Sequence, residues 1–121
     1  MSHLAALTRR EREIMNAVFA LGNRASAEAI RARLTSPPSD SSVRVMLARL
    51  EKKGYLSSEK IGNIYRYTPL IAENEYKQKF MSGFVKDYFE DSYKALVTFF
   101  AKEKKISPEE LKEIVKMIEK N

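Results

Sequence analysis

Ser39-Asp40-Ser41-Ser42-Val43-Arg44-Val45-Met46-Leu47-Ala48-Arg49-Leu50-Glu51-Lys52-Lys53-Gly54-Tyr55-Leu56-Ser57-Ser58-Glu59-Lys60-Ile61-Gly62-Asn63-Ile64-Tyr65-Arg66-Tyr67-Thr68-Pro69 reads as one helix followed directly by a short β-hairpin. Ser39-Asp40-Ser41-Ser42 opens the helix, because a serine oxygen there can accept from an orphan backbone N–H. Lys52-Lys53-Gly54 closes it, with cations near the carbonyl end and a glycine beyond. Val43, Met46, Leu47 and Leu50 fall at i, i+3, i+4 and i+7, one apolar stripe that must face a core. The opposite side carries Ser41, Arg44, Val45, Ala48, Arg49 and Lys52, with no acid among them and Glu51 projecting to its side. Small residues between long cations let the backbone approach a partner, and Val45 or Ala48 can touch a thymine methyl. After the helix, Tyr55 to Ser58 is extended, Ile61-Gly62-Asn63 turns the chain, and Ile64 to Thr68 returns. Gly62-Asn63 supplies the positive φ that tight hairpin turns require. Leu56, Ile64 and Tyr65 are expected in the sheet. Lys60, Asn63 and Arg66 are expected at or near its tip, with Thr68-Pro69 ending the strand. A helix with a basic face beside a basic-tipped hairpin is how a winged helix holds duplex DNA.

Two shorter helices precede this stretch. Thr8-Arg9-Arg10-Glu11 is a capping box: the Thr8 hydroxyl accepts from the Glu11 N–H while the Glu11 carboxylate reaches back. Leu7 is a candidate staple residue. Ile14, Met15, Val18 and Leu21 then repeat at helical spacing, and Gly22-Asn23 ends the helix. A second helix is predicted from Ser26 as N-cap to Leu34, burying Ile30 and Leu34 behind an alanine-rich face. Thr35-Ser36-Pro37-Pro38 breaks the chain before the third helix, predicted at about 40–53.

From about Ala72 the composition changes. Glycine nearly vanishes, lysine replaces arginine, and eight aromatics crowd in: Tyr76, Phe80, Phe84, Tyr88, Phe89, Tyr93, Phe99 and Phe100. Phe84 and Tyr88, Phe89 and Tyr93, and Leu96 and Phe100 are each four residues apart. Ser107-Pro108-Glu109-Glu110 starts another helix, with cap, N1 proline and reciprocal glutamate. Leu111, Ile114, Val115 and Ile118 give it an apolar face. About fifty residues of helix have too little interior to bury all of this. A second copy of the chain, related by a two-fold axis, can bury it. The predicted fold is therefore mainly α with a small β-hairpin. Residues 1–71 form an N-terminal winged helix-turn-helix, and residues 72–121 a C-terminal helical dimerisation region. Phe84, Tyr88, Phe89, Tyr93, Leu96, Phe100, Leu111, Ile114, Val115 and Ile118 are its expected contact residues.

Composition narrows the function. The chain has 121 residues, 44% hydrophobic and 31% charged, which suits a folded globular protein. Its net charge of +6 lies entirely in residues 1–70, which hold 12 Lys/Arg and 6 Asp/Glu; residues 71–121 hold 10 of each sign. Every arginine lies at or before Arg66. The arginine fork suits phosphate and guanine edges, so the asymmetry points to a polyanion at the N-terminal half. No run approaches the ~18–20 apolar residues needed to span a bilayer, and Leu4 to Leu7 does not resemble a signal peptide. With no cysteine, disulfides and thiolate metal sites are excluded, and a cytoplasmic location is expected. His3 is the lone histidine, and no phosphate loop, nucleophile set or metal-spaced cluster accompanies it. No enzyme activity, metal or cofactor is expected. Glu90-Asp91 and Glu109-Glu110 are explained as helix starts and solvated faces. Tyr55, Tyr65 and Tyr67 among cations could stack on single-stranded bases, but at alternate hairpin positions they serve the sheet. A winged helix used only as a protein-interaction module is the main alternative to DNA binding.

The ordered set of motifs resembles the penicillinase-repressor family, which includes the methicillin-resistance repressor and the copper-responsive CopY repressors. The likeness lies in Leu7-Thr8 with Glu11 and Ile14-Met15, then Val43-Arg44 with Leu47-Ala48-Arg49-Leu50-Glu51-Lys52-Lys53-Gly54-Tyr55-Leu56. It continues through Tyr65-Arg66-Tyr67-Thr68-Pro69-Leu70, Phe89 with Asp91-Ser92 and Leu96-Val97, and Leu111 with Glu113-Ile114. The resemblance implies a homodimeric repressor that binds a dyad operator in double-stranded DNA. It implies that Ser41, Ser42, Arg44, Val45 and Arg49 face the DNA; Lys52, Lys60, Asn63 and Arg66 join them from the residues' own placement. The family often has Lys-Thr where this chain has Ser41-Ser42, so its operator sequence does not carry over. In antibiotic-sensing members a membrane-linked protease pathway cuts an Asn–Phe bond. Phe99-Phe100 stands at the matching position here without the asparagine, which leaves a regulatory protease as a partner to be tested and removes that particular bond. The copper-responsive members' cysteine motif is absent.

Overall fold

The computed structural model describes residues 6–22 and 24–120, so the expectations for His3 and Asn23 lie outside the described residues. Elements follow in the order α1 (Arg9–Leu21), β1 (Ala25–Ser26), α2 (Ala27–Ala32), α3 (Asp40–Lys52), β2 (Leu56–Ile61), β3 (Ile64–Pro69), α4 (Glu73–Phe89), α5 (Tyr93–Lys102) and α6 (Pro108–Glu119). The chain divides after Glu75 into two compact units, four residues beyond the expected boundary and inside α4.

In the first unit, local signals set the helix ends. Thr8 Oγ1 accepts from the Glu11 N–H at 3.1 Å, and Glu11 Oε1 accepts from the Thr8 N–H at 2.9 Å. Gly22 caps α1 at φ 83°, its N–H donating to Val18 O at 3.1 Å. The helix α2 is shorter than predicted. The N–H groups of Arg33 and Leu34 bond three residues back, to Ile30 O and Arg31 O at 3.1 Å each, so the end tightens and unwinds after Ala32. Leu34 is still buried, but from the loop.

Ile14, Met15 and Val18 of α1, Ile30 of α2, Val43, Leu47 and Leu50 of α3, and Leu56 of β2 close the core. The apolar stripes of three helices thus meet one face of a sheet, the arrangement each needs to leave water. That sheet has three antiparallel strands in the order β1-β3-β2, one more than the hairpin read from sequence. Ala25 pairs with Tyr67 and Ser26 with Arg66. Ser26 is also the N-cap of α2, its Oγ accepting from the Ala29 N–H at 3.1 Å. A strand of two residues, one of them a helix cap, has no periodicity to detect.

The hairpin register runs from Leu56 opposite Pro69 to Ile61 opposite Ile64, leaving Gly62-Asn63 as a two-residue turn. Of these two, Gly62 takes the positive φ, 65°. Leu56 and Tyr67 turn inward, whereas Ile64 and Tyr65 are exposed where the hairpin extends past its helical cover.

In the second unit, Glu90 (φ 50°) and Asp91 (φ 65°) are both left-handed and end α4, after which Ser92 Oγ caps α5 through the Ala95 N–H at 3.0 Å. Both carboxylates are solvent-exposed and form the break between the two helices. The Ser107–Glu110 capping box opens α6, with bonds of 2.9 and 3.1 Å. Phe84, Phe89, Phe99 and Phe100 form a chain of ring contacts with centroids 5.3–6.0 Å apart, and Tyr88 packs on Phe84 at 5.0 Å. Yet among the described apolar residues of this unit only Tyr76 and Val85 are buried. Tyr88 is 74% exposed and Ile118 67%. Among the described residues, no helix is long and apolar enough to cross a membrane.

Candidate nucleic-acid interface

The exposed surface of α3 is built outward from its cap. Ser39 Oγ accepts from the Ser42 N–H at 3.2 Å and donates to Ser42 Oγ at 2.9 Å, and Ser41 Oγ lies 3.2 Å away. Three hydroxyls therefore cluster at the first turn, where the orphan N–H groups and helix dipole favour an anion. Turning 100° per residue, Ser41, Val45, Ala48, Arg49 and Lys52 occupy the middle of the outward face. Val45 is 52% exposed, unusual for a large β-branched residue on a helix that has a core.

A groove of about 430 Å³ lies on one flank, lined by Arg10, Pro38, Ser41, Ser42, Val45, Met46 and Arg49. Met46, expected wholly inside, sits at the edge of the apolar stripe and is half-buried in the groove wall. Arg10 was not foreseen in this site. Its guanidinium donates to Thr35 O at 3.1 Å and Ser36 O at 2.8 Å, and meets Glu13 at 3.1 Å. These bonds tie α1 to the loop before α3. Arg31 Nε donates to Pro38 O at 2.7 Å and fixes the same loop. Only the folded chain brings residue 10 beside residues 38–49; in the sequence it is one member of a capping box.

The other flank corrects the expectation of an acid-free face. Asp40 Oδ2 lies 3.7 Å from Arg44 Nε, their side chains 67% and 57% exposed. Arg44 thus leans toward the hairpin rather than out of the middle of α3. Glu51 Oε2 accepts from Ser58 Oγ at 2.9 Å, joining α3 to β2. Burial raises the Tyr67 hydroxyl above its usual range, Glu51 and Tyr65 add to that, and Arg44 opposes it. Among the described residues, no carboxylate pairs with Arg49, Lys52 or Lys60.

On the wing, Lys60 lies opposite Tyr65, its Nζ 5.8 Å from the ring centroid, within cation–π range. Lys60 and the exposed Asn63 stand near the tip. Arg66 does not join them. It is one residue beyond Tyr65, so it points to the other face, and its Nη1 donates to Arg24 O at 3.0 Å beside β1.

The end of α3 is anchored from below. Lys53 Nζ reaches Glu11 Oε1 at 2.7 Å and Ala6 O at 3.1 Å. Glu11 is fully buried, and among the described residues its Oε2 has no hydrogen-bond partner. Burial pushes its carboxyl pKa up, but the bonds from Lys53 and Thr8 and the Lys53 charge outweigh this, and the net shift is downward. No group of three or more metal-ligating side chains exists among the described residues.

Comparison with known proteins places this geometry. The sequence profile of penicillinase repressors matches residues 7–120. The penicillinase repressor of Bacillus licheniformis is 27% identical over 122 residues, covering 100% of this chain and 95% of that protein. The methicillin resistance regulatory protein MecI of Mammaliicoccus sciuri is 27% identical over 114 residues, covering 91% and 90%. The solution structure of monomeric Bacillus licheniformis BlaI in complex with the blaP half-operator is similar, with TM-score 0.51 and 28% identity over 63% of this chain and 94% of that one. An organohalide-sensing transcriptional regulator, RdhR, shares the fold at TM-score 0.51 and 20% identity, over 94% of this chain and 61% of its own. With a winged helix at its N-terminal end and a family profile that spans nearly its whole length, the chain belongs to the penicillinase repressor family, whose members are transcriptional repressors rather than enzymes.

Proposed function

We propose that this chain is a homodimeric, cytoplasmic repressor that binds a dyad-symmetric operator in duplex DNA. In this reading α3 enters the major groove and the hairpin lies alongside as the wing. The observation that carries it is the middle of the α3 face. Arg49 and Lys52 have no carboxylate partner there, and small or apolar side chains between them let the helix backbone approach bases. Arg44 reaches a guanine edge from the wing side of the helix. Arg49, Lys52 and Lys60 hold phosphates, together with the Ser41 and Ser42 hydroxyls at the first turn of α3 and Asn63 on the wing. Arg66 acts indirectly, through the wing and β1. That the BlaI structure was solved in complex with a half-operator supports DNA binding by its relative here.

Residues 1–71 serve as the DNA-binding head and residues 72–121 as the dimerisation region. Phe84, Tyr88, Phe89, Tyr93, Leu96, Phe100, Leu111, Ile114, Val115 and Ile118 are available to a second copy, and all ten retain solvent exposure. Two heads on one axis would read half-sites about 34–36 Å apart or a multiple of that. Release by a regulatory protease at Phe99-Phe100 would need unwinding first, because the bond lies within α5. The test is selection of duplex fragments from the source genome, followed by titration at several salt concentrations. Salt-sensitive binding to a selected dyad supports the proposal; no binding at low salt overturns it in favour of a protein-interaction module.

A further inference from the structure

We propose that Asp40 is a positioning residue for Arg44, and through it a determinant of operator specificity. The inference rests on the DNA-binding reading of α3. Asp40 is the first residue of α3, and the Ser39 cap fixes its backbone. Its carboxylate lies one turn before Arg44 and 3.7 Å from Nε. An arginine held at Nε keeps both terminal nitrogens free as a parallel pair, the fork that matches guanine O6 and N7. Without Asp40, the long Arg44 side chain has many rotamers to lose on binding, and Glu51 lies on the same flank as a competing acid.

The position of Asp40 is hard to explain by stability alone. An exposed i,i+4 ion pair contributes little, and a carboxylate in the first turn favours the helix dipole only modestly. Against that, a negative charge on a face otherwise lined with cations repels phosphate. Such a charge lowers affinity for every duplex alike, while a correctly aimed Arg44 recovers affinity only where guanine is present. Asp40 therefore widens the gap between specific and non-specific binding from both sides.

The test uses the full chain and labelled duplexes selected by the wild-type protein from a random library. One base pair is chosen whose change weakens wild-type binding but not Arg44→Ala. At that pair, Asp40→Ala should lose about fivefold to tenfold of the roughly 5–150-fold discrimination an arginine–guanine contact supplies. Its affinity for an unrelated duplex should stay level or rise. Asp40→Ala added to Arg44→Ala should cost no further discrimination, and Asp40→Glu should restore part of it. Equal weakening on selected and unrelated duplexes would mean a merely structural role and overturn the proposal alone, as would discrimination retained in Asp40→Ala. Failure of the wild-type chain to select any duplex would instead overturn the DNA-binding reading, and this inference with it.

Discussion

Lys53→Met should destabilise the N-terminal unit out of proportion to its partly exposed position. Lys53 Nζ sits 2.7 Å from Glu11 Oε1, and the Glu11 side chain is 1% exposed. Removing the ammonium leaves a carboxylate in the core that still accepts from the Thr8 N–H. Breaking a fully buried pair costs about 3–5 kcal/mol; Lys53 is 26% exposed, so water can enter and the lower end, about 3 kcal/mol, applies. Small domains have about 5–15 kcal/mol in total, so the loss should lower the melting temperature by roughly 12 °C or more. The assay is urea and thermal denaturation of the full chain followed by circular dichroism. The pH dependence gives a second readout. In the wild type the folded Glu11 pKa lies below its unfolded value. The stability it contributes is therefore complete above the unfolded pKa and lost as pH falls through the folded one. In Lys53→Met, burial has little to oppose it, so the folded pKa should rise above the unfolded value. Acidification toward pH 4 should then recover stability instead of removing it. Glu11→Leu combined with Lys53→Met should be closer to wild type than Lys53→Met alone, since an apolar replacement of both partners leaves no buried charge. A loss below about 1 kcal/mol at pH 7, with an unchanged pH slope, would refute the anchoring role.

Arg44→Ala should weaken binding to a selected duplex by about 5–150-fold and to unrelated duplexes much less, as measured by anisotropy titration. Lys60→Ala should weaken both together and reduce the salt slope by about one unit at most. Val115→Glu with Ile118→Lys should shift the chain toward monomer in sedimentation equilibrium while leaving the α1–β3 thermal transition in place; an unchanged mass would rule out α6 as the dimer contact. Gly62→Val should cost about 1–2 kcal/mol, because the turn requires φ 65° although a Cβ there meets nothing within 4 Å; stability equal to wild type would mean the turn adopts another form.

The parts of this protein legible in its sequence are those with short-range causes. Thr8 with Glu11, Ser26 with Ala29, Ser39 with Ser42 and Ser107 with Glu110 each settle a helix start within one turn. Val43, Leu47 and Leu50 announce an inward face by spacing alone, and Gly62-Asn63 announces the hairpin because few residues tolerate that turn. Tertiary structure decided what depends on where the chain returns. Strand β1 exists because β3 offers it an edge, not because Ala25-Ser26 prefers to be extended. Arg10 joins α3 across some thirty residues of chain, Lys53 finds Glu11 across forty-two, and Arg66 turns to Arg24 because the strand alternates sides. Even the Asp40–Arg44 pair, four residues apart, is read correctly only once the rotation of α3 about its axis is known, and the core sets that rotation. Periodicity and capping act through neighbours on the same helix and are therefore written locally; charge pairing and exposure depend on which surfaces the core brings together.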